Sequence, residues 1–315
     1  MSALICGSIA YDTIMVFNDR FKEHILPDKI HILNVSFLVP NLRREFGGCA
    51  GNIAYNLALL GDDGFPMGTV GRDFDAYAEW MTACGVPQDY VRRLDDHLTA
   101  QAYITTDLDD NQITAFHPGA MNAAHENKVA DADGITVGIV APDGRDGMIQ
   151  HAAQFAEAGI PFIFDPGQGL PMFNGEDLKT FIEQADWVTV NDYEWQLMRE
   201  RTGWDEHDVC ERVKALIVTR GGAGSEIHLP DGGISIPSAK AKRVVDPTGC
   251  GDAYRAGILH GLMHELDWET TGRIASLLGA IKIEYEGTQK HRFTPNEFEE
   301  RYRESFGTKL KLGAH

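Results

Sequence analysis

The sequence is short of positive charge: 28 Lys and Arg stand against 47 Asp and Glu, a formal net charge of −19. Phosphodiester backbones and anionic lipid are held by clustered Lys and Arg, so neither nucleic acid nor a membrane surface is expected as a partner. Cysteine is sparse and odd in number, with Cys6, Cys49, Cys84, Cys210 and Cys250 dispersed and no C-x-x-C spacing. Reduced thiols fit this pattern, not a disulfide framework or a zinc site. No apolar run reaches the roughly 18 residues of a membrane span. Met1–Gly7 has no basic stretch and Asp12 follows soon after, so no secretion signal is read and a cytoplasmic protein is expected. Without such a signal the glycosylation pattern Asn34-Val35-Ser36 carries no meaning. The twelve histidines show no H-E-x-x-H or comparable ligand spacing, and Arg43-Arg44 and Arg92-Arg93 read most simply as solvated charge. Also missing are G-x-x-x-x-G-K-[ST] and a G-x-G-x-x-G after the first strand, which excludes a Walker A loop and a dinucleotide fold.

Hydrophobic residues make up 43% of the 315 positions, enough for a sizeable core and too many for disorder. Short apolar runs alternate with helical patterns, the signature of βαβ units around a mainly parallel sheet. Strands are predicted at Ala3–Ile9, Ile135–Val140, Pro161–Phe164, Trp187–Val190 and Ala215–Thr219, with helices at 146–158, 175–184, 192–201 and 205–214. Two stretches break the rhythm. Thr13–Val39 contains the alternating Ile30–Val35, and Ala102–His117 reads as strand, turn, strand. Both look like antiparallel lid strands inserted into the main body. The expected division is therefore 1–12, 41–97 and 119–315 for the α/β domain, and 13–40 and 98–118 for a small β lid.

Ligands of open parallel sheets bind beyond the carboxyl ends of the strands. Those positions carry Asp12, Asp165-Pro166-Gly167, Asn191-Asp192-Tyr193-Glu194 and Thr219-Arg220-Gly221-Gly222. Each alone reads equally as a turn or helix cap; four together point to a polar cleft. Two glycine-rich loops sharpen this. Gly47-Gly48-Cys49-Ala50-Gly51-Asn52 precedes a helical pattern, and Asn52 offers a donor and an acceptor to a polyol. Asp246-Pro247-Thr248-Gly249-Cys250-Gly251-Asp252 runs into a second helix, where the N–H groups of Gly249, Cys250 and Gly251 would form an anion cradle at the positive end of the helix dipole. Asp252 stands at its mouth, where a carboxylate is repelled by the anion it faces, so a merely structural use is less expected than at an ordinary helix start, with an N-cap as the competing reading.

Together the two loops resemble both signatures of the ribokinase/pfkB family of sugar and nucleoside kinases, over nearly the whole chain. Gly47-Gly48-x-x-Gly51-Asn52 matches the early Gly-Gly-Asn element, and Asp246–Asp252 matches the late D-T-x-G-A-G-D element, with Pro247 and Cys250 departing from the usual Thr and Ala. The resemblance implies a ribokinase-like α/β fold with a small β lid and ATP-dependent phosphorylation of a hydroxymethyl group. It makes Asp252 the general base and Gly249, Cys250 and Gly251 the phosphoryl cradle. Asp12, Gly47, Gly48 and Asn52 would bind the acceptor. Asn191 and Glu194 match an N-x-x-E element that organises Mg²⁺ through water. Thr219, Gly221, Gly222 and Gly224 match a turn beside ATP, with Gln289, near the end of an Ala280–Glu286 helix, facing the nucleotide. It also allows a monovalent cation such as K⁺ near the Asp246 loop, for which carbonyl ligands leave no side-chain signature.

Within the family, the segments at 21–27, 115–121 and 286–289 look most like bacterial adenosine-kinase-like members, which favours adenosine O5′, giving AMP. Phe37, Phe116 and Met121 either form a flat apolar purine slot or are plain lid core. The alternatives are a sugar kinase acting on ribose, fructose or a keto-sugar acid, and a catalytically silent nucleoside-binding regulator on the same fold. Monomer and homodimer both stay open.

Overall fold

A computed structural model describes residues 1–25, 32, 34–109 and 111–312. The first third runs β1 (Ser2–Cys6), β2 (Ala10–Val16), a one-turn helix α1 (Phe21–His24), β3 (Asn41–Gly47), α2 (Cys49–Leu60), β4 (Asp63–Gly71), α3 (Asp75–Ala83) and β5 (Val91–Leu94). There follow β6 (Ala100–Thr106), β7 (Gln112–His117), β8 (Ile135–Val140), α4 (Arg145–Ala158), β9 (Phe162–Phe164), α5 (Gly175–Gln184), β10 (Trp187–Asn191) and α6 (Asp192–Thr202). The last part is α7 (Glu206–Cys210), β11 (Ala215–Thr219), β12 (Ser225–Leu229), β13 (Gly232–Ile236), α8 (Cys250–Met263), α9 (Trp268–Lys282) and α10 (Pro295–Phe306).

Nine strands form one sheet in the order β13-β12-β11-β10-β9-β8-β1-β4-β5, parallel from β5 to β11 with an antiparallel edge at β12 and β13. Both faces are covered, which is why the strands read as continuous apolar runs. In β1, Ala3 and Ile5 join a core shared with α2, α8, α9 and α10, while Leu4 and Cys6 join the opposite core with α4, α5 and α6. Truncating fully buried Leu4 to Ala would cost about 2–5 kcal/mol.

The second sheet has the order β3-β2-β6-β7. Here the structure differs from the sequence expectation. Residues 41–47, assigned to the large body, pair with β2 from Ala10↔Gly47 to Val16↔Asn41. Their alternation was hidden by the charges of Arg43, Arg44 and Glu45. Of the alternating Ile30–Val35, positions 30, 31 and 33 lie outside the described residues, and 34–39 form no strand. The first strand ends at Cys6, not Ile9, because Ser8 N–H turns to Pro142 O and the chain passes into the second sheet at Ala10. The helix predicted at 205–214 is confined to Glu206–Cys210, and Ala280–Glu286 is the tail of α9, which ends at Lys282.

Candidate active site

The early glycine loop joins the two sheets, and its glycines are dictated by contact. A Cβ on Gly47 would stand 2.6 Å from Asp12 Oδ2; one on Gly48, at φ 85°, would stand 2.5 Å from Ser8 O. Asp12 is thus packed directly on the Gly-Gly turn. Burial, then Glu45 and Asp246, push the Asp12 carboxyl up to about 6. Glu45 lies opposite Asp12 in the β2–β3 ladder and is ion-paired with Lys290 at 2.5 Å.

The late loop meets the early one at a carboxylate. Gly249, in the left-handed conformation at φ 79°, caps α8, and Asp252 lies in the first turn. Asn52 Nδ2 donates to Asp252 Oδ2 at 2.7 Å. Burial raises the Asp252 carboxyl to about 6 against the opposing pull of the Asn52 hydrogen bond and Arg255. Of the three expected cradle donors, Cys250 N–H is turned to Pro247 O at 3.2 Å, because the left-handed Gly249 folds 247–250 into a turn. That donor reaches an incoming phosphoryl only by sharing or releasing this long bond.

Gln289 corrects the sequence reading most clearly. It is buried beneath Asn52 instead of facing a nucleotide: its Nε2 donates to Asn52 Oδ1 (3.0 Å) and Tyr77 Oη (2.6 Å), and its Oε1 accepts from Trp80 Nε1 (2.9 Å). The amide's donors and its oxygen are engaged within the protein. In turn Asn52 has its nitrogen fixed toward Asp252 and its oxygen toward Gln289, leaving one N–H and one lone pair for a polyol hydroxyl.

Asn191 and Thr219 are register partners at the ends of β10 and β11, so the N-x-x-E element and the glycine turn start side by side. Asn191 and Glu194 form a reciprocal capping box: Asn191 Oδ1 accepts from Glu194 N–H at 2.7 Å and Glu194 Oε2 accepts from Asn191 N–H at 2.8 Å. Burial and the neighbouring Asp165 raise the Glu194 carboxyl, opposed by Arg255. Gly221 (φ 51°) and Gly224 (φ 90°) make the turn; space is open around Gly221 and Gly222, whereas a Cβ on Gly224 would meet Ile236 O at 2.2 Å.

Phe116 and Asp12 both pair with Ala102, on β7 and β2 respectively, so they share a face of the small sheet; Phe116 is 51% exposed. Phe37 belongs to the lid core instead, its ring 4.8 Å from Phe17 and 5.0 Å from Phe21 between centroids.

Sequence reasoning missed Arg255. Its guanidinium binds Asp165 through two hydrogen bonds of 2.9 and 3.0 Å, and Nη2 lies 3.8 Å from Glu194. It ties the start of α8 to the end of β9 and to the Glu194 turn. The available signal was a lone charge in the apolar run Ala253-Tyr254-Arg255-Ala256-Gly257-Ile258, since a buried Arg requires a carboxylate.

Two glycine loops meeting at a half-buried carboxylate, beside a four-stranded sheet, describe a site suited to phosphoryl transfer to an alcohol. Residues 10–294 match the pfkB family carbohydrate kinase description, and the chain belongs to that family of phosphotransferases. It is similar to the nucleoside kinase of Methanocaldococcus jannaschii, with 33% identity over 270 residues covering 85% of this chain and 89% of that one. Among solved structures it resembles the Burkholderia thailandensis nucleoside kinase in complex with inosine, with 54% identity, a TM-score of 0.90, and coverage of 98% of this chain and 100% of that one. The same kinase in complex with ADP-inosine gives a TM-score of 0.88 at 55% identity, covering 100% and 99%.

Proposed function

We propose that this protein transfers the γ-phosphoryl group of ATP to the 5′-hydroxyl of a nucleoside, with adenosine to AMP as the specific reaction. The observation that carries the reading is Asp252: a half-buried carboxylate at a helix start, oriented by Asn52, with its pKa raised to about 6. As the O–P bond to the acceptor forms and the bond to ADP breaks, the hydroxyl proton passes to Asp252. A base of that strength is ionised at neutral pH and still accepts a proton from an alcohol whose acidity rises as the bond forms.

Asp12, Gly47, Gly48 and the remaining capacity of Asn52 hold the ribose, and half-exposed Phe116 offers a face on which a base can stack. Gly249 and Gly251 N–H groups, at the positive end of α8, receive the transferring phosphoryl, with Cys250 N–H joining once released from Pro247. Thr219, Gly221, Gly222 and Gly224 edge the nucleotide side. The donor set near Glu194 fits a hydrated Mg²⁺, since Asn191 N–H occupies Oε2 and Oε1 is left to meet metal-bound water. When bound with ATP, Mg²⁺ supplies neutralisation of phosphate charge.

ADP release with adenosine, inosine, pyrimidine nucleosides, ribose and fructose tests the assignment. A nucleoside is expected to give the highest kcat/KM, because free sugar cannot use the Phe116 face. Faster turnover of ribose or fructose would leave the family standing and overturn the nucleoside reading; inosine ahead of adenosine would overturn only the adenosine assignment.

A further inference from the structure

Lys282, the last residue of α9, is 0% exposed. Its Nζ donates to Asp246 O at 2.7 Å and to Tyr285 O at 3.2 Å. A buried ammonium is costly, and elsewhere α9 buries apolar Ile274, Leu277, Leu278 and Ile281. The segment it grips leads into the phosphoryl cradle. Asp246 Oδ1 accepts from Thr248 N–H and Oδ2 from Gly287 N–H, both at 2.9 Å, and Val245 and Asp246 N–H both point to Ile283 O. The bond to Asp246 O sets the ammonium at the base of the segment that leads into Gly249–Gly251; burial pulls the Lys282 pKa down, while Cys250, Asp246 and Asp252 hold it up.

The monovalent cation expected at this loop does not fit these residues, because carbonyls that would coordinate it already bond to a positive side chain. We propose that the Lys282 ammonium is a built-in monovalent cation, a positioning residue that holds the Asp246–Gly251 loop in its cradle shape and makes turnover independent of K⁺. Its functional half rests on the phosphotransfer reading above. A fixed positive charge behind converging N–H groups favours the arriving phosphoryl without reorganisation.

The test compares KCl with tetramethylammonium chloride at matched ionic strength. Wild-type kcat for the best nucleoside is expected to agree within about twofold between the two salts. Lys282→Met keeps the length and removes the charge; kcat should fall by at least about tenfold with nucleoside KM little changed, and NH₄Cl or KCl should restore part of it. Independently of activity, KCl should raise the Tm of the Met variant over its value in tetramethylammonium chloride and leave wild-type Tm unchanged. The proposal is overturned by a wild-type kcat or Tm that rises with K⁺, by a Met variant with full kcat, or by one that neither cation alters. If the Met variant does not fold, the wild-type comparison decides by kcat and Tm. If no nucleoside turns over, the assigned function fails and the two Tm comparisons still decide the role of Lys282.

Discussion

Asn52 and Asp252 stand 200 positions apart and are joined by a 2.7 Å hydrogen bond between the first turns of α2 and α8. The far ends of the same helices are joined as well. Gly61, at φ 88°, ends α2 and delivers Asp62 to His260 Nδ1 (2.6 Å) and His264 Nε2 (2.7 Å) at the end of α8. A helix pair pinned at both ends fixes the angle at which the two glycine loops meet, and that angle decides where the Asp252 carboxylate points.

Asp252→Asn keeps size and the Asn52 contact but removes the base. General-base catalysis contributes about 10²–10⁴-fold, so kcat should fall by at least roughly the smaller factor with nucleoside affinity little changed. Because burial raises the carboxyl to about 6, wild-type kcat should fall as pH drops through about 6, above the usual carboxylate range. A pH profile of kcat checks both, since its acid limb should vanish in the variant, whereas Asp12, raised to about the same value, would leave a limb in kcat/KM of both proteins.

Gln289→Leu would strip Asn52 of the N–H that fixes its amide and leave Trp80 Nε1 without its acceptor. Urea unfolding should show a loss of about 1–3 kcal/mol. Asn52 would then be free to turn its oxygen toward Asp252, so kcat should fall beyond what the lost stability explains. Measuring kcat at a temperature where the variant stays folded separates the two effects.

Glu194→Gln retains a side chain able to cap α6 but removes the charge that a hydrated Mg²⁺ would meet. The Mg²⁺ concentration for half-maximal rate should rise by about tenfold with nucleoside affinity unchanged. A Mg²⁺ titration beside a nucleoside binding curve checks this; weakened nucleoside binding at an unchanged Mg²⁺ requirement would move Glu194 to the acceptor side.

Asp62 gives a stability prediction. Burial acts to raise its carboxyl, but hydrogen bonds and charge from His260 and His264 outweigh that and hold it below the usual range. A depressed folded value means the stabilisation is present above the unfolded carboxylate pKa and is lost as pH falls through the folded one. Asp62→Asn should therefore cost about 2 kcal/mol near neutrality and little in strong acid. Urea midpoints from pH 7 down to pH 3 would show the two proteins converging.

The parallel sheet was legible because its strands are buried on both faces. Runs such as Ile135–Val140 and Ala215–Thr219 admit few other readings, and the crossovers between them have helical length. The glycine loops were legible for a related reason: positive φ and close packing against the Ser8–Ala10 backbone leave no alternative to Gly48, so the constraint is written in the residue itself. Strand β3 was not, since half its residues are polar and its partner lies about thirty positions upstream.

The sequence by itself determined the two loops, the carboxylate at the mouth of the second, the family, and the alternation of strand and helix, all of them local consequences of composition and spacing. Only the tertiary structure decided which way the amides and charges face. Gln289 lies beneath Asn52 because the segment after α9 folds back against α2 and α3, and no local pattern encodes that return. Arg255 and Lys282 each stand as a single charge in an otherwise apolar helical run, and the sequence does not say what partner either finds. Helix packing closes over both, and a buried charge must then find a partner, a carboxylate for Arg255 and backbone carbonyls for Lys282.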